Sequence, residues 1–448
     1  MTSHVMDSQL LGHLFSNPKM KEIWNDQNSV RLWLLVEKAL AKEEAKLGII
    51  PAAAAEEIIR KAIPENIDFE ELAAGIKETS HTIVPLLREV RKHCLNEAGE
   101  YIHWGATTQD IDDTAFMLQM KEAYRLIRLQ MADLEKVLMA LAELHRATPM
   151  MGRTHGVQAV PISFGLKVAI WAAEIHRHLE RWDAAENRIL VGQLAGATGT
   201  VSTFGPEGFK LQELVMQELG LGVPEIVWHT SRDRLAEFSS MMAMCVCTCG
   251  KIANELINLC KTEIREIEEK FVDGKIGSST MPHKRNPKTA EIIVVLSKLV
   301  RNAASLMFEL MIHEHERDGA AWKGEWAIIP EICIYGSAAL EKTKAMLTNM
   351  AVNTDNMMRN MELTRGLIYS ESVMLELGKR MGRQRAHELL YRICMEVADT
   401  AGVHLKDALL KEPIVAKCMS PDELSALFTP DAYVNSAAAC VDRVIKSS

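Results

Sequence analysis

Between Ala106 and Thr148 the chain carries neither glycine nor proline, and between Pro224 and Pro282 it carries no proline. Through the first stretch apolar residues recur at three- and four-residue spacing, at Met117, Met120, Tyr124, Ile127, Met131, Leu134 and Leu138. That is the period of one helix face. A helix of about 36 residues is roughly 54 Å long, more than a small domain is wide, so it needs partners as extended as itself. Five segments suit the part, about 110–147, 161–190, 232–270, 288–318 and 329–361. Between Met241 and Ile257 the apolar residues encircle the helix, the pattern of a helix buried on every side. The simplest expectation is a bundle whose outside is covered by other copies of the same chain, with a helix central to a one-chain bundle as the alternative.

The flanks read as shorter helices. One begins at Pro18–Lys19, a stop falls at Gly48, and the last stretch is broken by Gly378, Gly382, Gly402 and Pro413. The expected division is an N-terminal helical domain 1–109, a central long-helix bundle 110–361 and a C-terminal helical domain 362–448. Strand patterns are confined to Gly192–Thr203 and one hairpin-like piece, so the fold class is all-α. Of 448 residues, 48% are hydrophobic and 25% charged, as in ordinary globular chains.

A net charge of −9 argues against nucleic acid as partner. An anionic substrate must then meet locally placed cations. The opening MTSHVMDSQL lacks a basic and apolar leader, and the apolar runs fall short of a membrane span. Nine cysteines form no framework, and Cys245, Cys247 and Cys249 alternate with no histidine nearby, so reduced thiols, no metal site and a cytosolic location are expected. Phosphate-cradling glycine loops are missing.

The densest chemistry lies in Gly277-Ser278-Ser279-Thr280-Met281-Pro282-His283-Lys284-Arg285-Asn286-Pro287. Eleven residues bring together hinges, hydroxyls, three basic side chains and a carboxamide, as suits a loop over 272–288 that closes on an anion, with Gly274 and Gly277 as hinges. The bland alternative is a solvated interhelical loop.

This segment resembles the signature of the fumarase/aspartase superfamily, within its adenylosuccinate lyase and 3-carboxy-cis,cis-muconate cycloisomerase subgroup. Two further blocks follow the same pattern, His103-Trp104-Gly105-Ala106-Thr107-Thr108-Gln109-Asp110 and Gly152-Arg153-Thr154-His155. The resemblance runs from Leu14 to Val444. It implies a three-domain helical fold, a homotetramer whose active sites draw on three subunits, and β-elimination beside a carboxylate without metal or organic cofactor. It also implies roles for particular residues. Ser278, or its neighbour Ser279, is the base. His81 is the general acid, His155 contacts the leaving-group side, and Glu291 orients the histidine. Thr107, Thr108, Gln109, Lys284, Asn286 and His283 hold a small dicarboxylate substrate. The chemistry suits these residue types, because proton abstraction next to a carboxylate builds up a dianion that fixed dipoles and cations must stabilise.

Within the subgroup the blocks divide. His81 and Arg153-Thr154-His155-Gly156 resemble adenylosuccinate lyases. Trp228 to Arg234, the stretch Glu314-His315-Glu316-Arg317-Asp318 with Trp322, Glu325 and Trp326, and Gly382 to His387 resemble cycloisomerases. Adenylosuccinate lyases grip the nucleotide phosphate with an Arg-Tyr pair and a later arginine, where this chain has Leu14, Phe15 and Trp326. Arg317 and Trp326 are therefore read as contacts for a non-nucleotide leaving group. The expected activity is fumarate release with C–N cleavage. A lactonising cycloisomerase, adenylosuccinate lyase proper and an inactive structural homologue are the alternatives.

Overall fold

The computed structural model describes residues 4–270, 280, 281 and 283–447. The serines Ser278 and Ser279 and the hinge glycines Gly274 and Gly277 lie outside the described residues. In chain order the elements used below are α1 (Asp26–Lys46), α2 (Phe69–Thr79), α3 (Thr108–Leu144), β1 (Pro149–Thr154), β2 (Val157–Ser163), α4 (Phe164–Ile189), α5 (Asp233–Leu259), β3 (Ile267–Glu269), α6 (Lys288–Glu309), α7 (Gly319–Asn349) and β4 (Met350–Val352). Shorter helices fill both flanks, and the class is all-α as expected.

The five long helices differ from the sequence expectation at their ends. Helix α5 stops at Leu259 rather than near residue 270, because the chain turns through Arg265 at φ 46° and then enters β3. Helix α6 stops at Glu309. Helix α7 starts at Gly319, where Asp318 Oδ1 accepts the amides of Ala320 at 2.9 Å and Ala321 at 3.3 Å. That is a side-chain N-cap. The same helix runs straight through Pro330, which the sequence reading took for a start near residue 329. The stretch Gly192–Thr203 is not a strand. Gly196, Gly199 and Val201 all have positive φ, and the amides of Ala195 and Gly196 go to Asp110 instead of a ladder. The strands lie in the hairpin β1–β2 and the short pair β3–β4.

Two compact units emerge, one from 1–132, 178–250 and 292–341, the other from 133–177, 251–291 and 342–448. In the first, Tyr124, Trp182 and Phe238 form the aromatic centre, with ring centroids 4.4 Å apart for Tyr124–Trp182 and 5.5 Å for Trp182–Phe238. Gly250 lets α5 approach α6 closely, since a Cβ there would meet Ser297 Oγ at 2.5 Å. Helix α5 is long and apolar enough to cross a membrane by length and composition, yet 67% of that stretch is buried inside the chain. Its all-round apolarity is thus largely answered by one chain, which weakens the case for further copies made from that pattern alone.

In the second unit the short C-terminal helices pack Val373, Leu377, Ile393, Leu405, Leu409 and Val415 into a separate core. The hairpin β1–β2 turns at His155 and Gly156, with φ 53° and 79°. Two successive positive φ values between the paired Thr154 and Val157 define a tight two-residue turn of the mirror-image kind that suits twisted strands.

Helix α1 carries a liability. Glu44 is wholly buried and neither carboxylate oxygen has a hydrogen-bond partner. Burial, then the neighbouring Glu37, pushes its pKa up to about 9. Below pH 4.5 folded and unfolded chains both hold this proton, so it contributes nothing. Between 4.5 and 9 only the unfolded chain releases it, and the folded state loses stability steadily as pH rises. Glu44→Gln removes the titration. Its stability advantage over the wild type should grow by about 2–4 kcal/mol between pH 5 and pH 8, read from urea unfolding at both. A pH-independent difference would reject the buried, protonated carboxyl.

Candidate active site

In the first unit the site is built on the N-terminus of α3. Thr107 and Thr108 stand at its opening, where helix amides and the dipole favour an anion. Asp110, fully buried, fixes this corner from within. Its oxygens accept the amides of Thr107 at 3.1 Å, Ala195 at 2.9 Å and Gly196 at 2.8 Å, and His229 Nε2 lies 3.0 Å away. His81 follows α2 and the left-handed Ser80, and its Nδ1 is 3.4 Å from Thr108 Oγ1. The two residues assigned to acid catalysis and carboxylate binding are therefore neighbours.

Arg317 reaches the same corner. Its Nη2 donates to Thr107 Oγ1 at 3.2 Å and to the Ala197 carbonyl at 2.9 Å, and its Nε donates to Gln109 Oε1 at 2.9 Å. Gln109 itself is fully buried. Its Nε2 donates to Asp113 Oδ2 at 3.1 Å and to the His229 carbonyl at 3.0 Å. Both ends of this amide are occupied inside the protein, so it holds Arg317 in place.

Behind Gln109 lies an ion network that the sequence reading missed. Arg232 is 1% exposed and forks to Asp113 at 2.8 and 3.0 Å, and its Nε donates to Glu325 at 2.8 Å. Trp322 Nε1 donates to Asp113 at 2.9 Å, and Trp326 sits edge-on to Trp322 with centroids 4.9 Å apart. Burial works against the Arg232 charge, but the two carboxylates hold its pKa above the ordinary value. One guanidinium serves two acids, and burial, outweighing Arg232, raises Glu325 to about 7. Neighbouring Asp112 is also raised to about 7, by burial against the hydrogen bond that Thr82 Oγ1 donates at 2.6 Å. No local pattern pointed to the three charges, which lie far apart in sequence, Asp113 on α3, Arg232 just before α5 and Glu325 on α7.

In the first unit His103 is a second link, half-buried, with Nδ1 2.6 Å from the buried Glu37. Burial opposes its charge, yet Glu37 outweighs it and the pKa is raised.

The second unit holds the other set. His155 is exposed at the tip of the hairpin, and Arg153 on β1 anchors that hairpin through two bonds to the buried Glu266, at 2.6 and 2.9 Å. Asn360 Nδ2 supports the same carboxylate at 2.8 Å. Glu269 at the end of β3 accepts the amides of Thr289 at 2.9 Å and Ala290 at 3.0 Å, capping α6. The residues that follow the signature segment are thereby tied to the carboxylate that ends β3. His283 and Lys284 are exposed and Asn286 half-buried on its descending side, with Glu291 exposed in the first turn of α6. The structure thus gathers His81, Thr107, Thr108, Gln109, Arg317 and Trp326 in one unit, and His155, His283, Lys284, Asn286 and Glu291 in the other. Among the described residues no group of three or more His, Cys, Asp or Glu is placed to hold a metal ion.

Residues 15–301 match the lyase family, and residues 366–444 match the adenylosuccinate lyase C-terminus. The chain is 42% identical to the N-acetyl-S-(2-succino)cysteine lyase of Dickeya dadantii, over 100% of this chain and 98% of the relative. It is 40% identical to the adenylosuccinate lyase of Methanocaldococcus jannaschii, over 98% and 95%. Among solved structures, the β-carboxy-cis,cis-muconate cycloisomerase of Acinetobacter calcoaceticus superposes with a TM-score of 0.92 at 33% identity, covering 98% and 100%. The fold and these matches define a lyase. The chain belongs to the fumarase/aspartase superfamily, in its fumarate-releasing branch.

Proposed function

We propose that the substrate is a 2-succinyl thioether of a small N-acylated amino acid, split by β-elimination into fumarate and a thiol. The observation that carries this reading is the leaving-group side of the site. Where a nucleotide phosphate needs an arginine fork, this chain has Leu14, Phe15 and Trp326, and the cavity that Trp326 lines also holds Asp112. The 42% identical relative named for N-acetyl-S-(2-succino)cysteine supports it. Of the cycloisomerase-like residues, Trp228, Arg232, Trp322 and Glu325 belong to the buried network around Arg232, a structural role that favours neither chemistry.

In this reading Ser278, or Ser279, takes the proton beside the distal carboxylate. The carbon–carbon double bond forms, the carbon–sulfur bond breaks, and its electron pair leaves on sulfur. Thr107, Thr108, Lys284 and Asn286 stabilise the charge that develops on the carboxylates, and His283 lends the loop further positive charge. His81 delivers a proton to the departing atom, His155 contacts the leaving side and Glu291 orients the imidazole. Gln109 acts through Arg317. Sulfur needs less acid assistance than nitrogen, since a thiol ionises at about 8.5. The location that fits such a reaction is the cytosol.

The test is fumarate release, followed by its absorbance, from N-acetyl-S-(2-succino)cysteine, from its nitrogen-linked counterpart and from adenylosuccinate. Turnover of the thioether at roughly 1–100 per second, with adenylosuccinate at least about 100-fold less efficient, is the expected result. Ordinary rates on adenylosuccinate would overturn the non-nucleotide reading, and preference for the nitrogen compound would reassign the bond to C–N.

A further inference from the structure

Beside His81 lies a cavity of about 540 Å³ within the first unit, walled by Trp24, Trp33, Phe69, Phe116 and Trp326. Thr82, the residue after His81, lines it, as does Asp112, one helical turn beyond Thr108 on α3. The cavity thus opens where the leaving atom is to be protonated. Asp26 and Lys77, both exposed, also line it, and much of the remaining polar lining is engaged. Gln119 Nε2 donates to the Ile23 carbonyl at 2.9 Å and to Ser29 Oγ at 3.1 Å, and Thr82 is spent on Asp112 Oδ2. Asp112 Oδ1 is a buried acceptor on this wall with no hydrogen-bond partner. An orphaned buried acceptor costs stability unless something satisfies it.

Building on the thioether reading, we propose that this aromatic cavity is the subsite for the acyl group of the leaving amino acid. The amide N–H of that group donates to Asp112 Oδ1, and its carbon body packs among the tryptophans and phenylalanines. An acetyl group leaves most of such a volume empty, since cavities of this size hold drug-sized groups. The enzyme therefore prefers bulkier apolar acyl groups, aromatic ones above all, because offset and edge-on ring contacts add to area burial. Asp112 is raised to about 7, so near neutrality the pocket does not present a full negative charge to a neutral amide.

The experiment compares N-acetyl- and N-benzoyl-S-(2-succino)cysteine in the wild type and in Ala73→Phe. Ala73 lies on the exposed side of α2 where that helix lines the cavity, so the larger ring fills the space without disturbing a core. The wild type should favour the benzoyl compound in kcat/KM by about tenfold or more, and the variant should lose that preference. Calorimetric titration with N-benzoylcysteine reads the same pocket without turnover, with binding expected in the wild type and at least about tenfold weaker in the variant. If neither thioether turns over but this binding and its loss are seen, the subsite stands and the substrate reading above falls. Equal kcat/KM for both compounds, unchanged in the variant and accompanied by no binding of N-benzoylcysteine, overturns the subsite.

Discussion

Ser278→Ala should abolish turnover, lowering kcat by on the order of 10⁴ or more, while dicarboxylate binding stays within a few-fold of wild type. As the proposed base, the hydroxyl would act only as the proton leaves carbon, so its loss is felt in the transition state and scarcely in the ground state. Lys284→Ala should differ in kind, weakening binding as well as rate, because it removes a charge that already meets the substrate carboxylate. Ser279→Ala settles the choice between neighbours, and whichever of the two serines carries the 10⁴-scale loss is the base. We propose that the working unit is a homotetramer whose sites are assembled from several subunits. Two inactive tetramers, one Ser278→Ala and one His155→Ala, should then regain partial activity when dissociated and reassembled together. Hybrids that reassemble and stay inactive would show that each chain owns a complete site. Ser278→Ala retaining more than about a tenth of wild-type kcat would remove this serine from the chemistry.

Arg232→Leu is expected to be the most damaging substitution for stability. The guanidinium is 1% exposed and shared by Asp113 and Glu325. Without it two buried carboxylates face each other unpaired, a loss of about 3–5 kcal/mol. The sign of the pH dependence follows. In the variant the two buried carboxylates lack a counter-charge, so holding them ionised costs stability wherever the unfolded chain ionises them freely. The deficit should be small near pH 4 and grow towards pH 8. Adding Asp113→Asn and Glu325→Gln should recover much of it, by removing the stranded charges. Urea unfolding of the three proteins at two pH values is the measurement. A deficit independent of pH, or no recovery in the triple variant, would mean that packing and not charge explains the site. Activity should fall too, since Asp113 holds Gln109 and Gln109 holds Arg317.

The long helices could be read from the chain because they rest on local rules, and the three motif blocks because they resemble those of a known family. Apolar spacing in 117–138 survives intact as the buried face of α3, and Thr107–Thr108 opens that helix as its position before an unbroken run requires. The misplaced boundaries came from tertiary effects. Nothing in residues 260–266 breaks a helix by composition, yet Glu266 leaves the helical path to meet Arg153 and Asn360. Pro330 looked like a start and sits inside α7, whose real start is the Asp318 cap. In Gly192–Thr203 the apparent strand gives its amides to Asp110, a partner far away in sequence. The Asp113–Arg232–Glu325 network was hidden for the same reason, since each charge is isolated in sequence and the three meet only in the fold.

The corner at His155 bears on how such a site can change over time. Outside glycine, only asparagine, aspartate and histidine enter the left-handed region at modest cost, whereas β-branched residues there are strained by their own backbone. Substitutions that keep the hairpin therefore lead from imidazole to an amide, a carboxylate or no side chain at all. Each of those steps alters the functional group offered at the tip and leaves the Arg153–Glu266 anchor untouched. A descendant lineage can exchange the chemistry of this corner in one mutation at little expense in folding, while valine, isoleucine or threonine there carries the backbone strain that Val201 bears elsewhere in the chain.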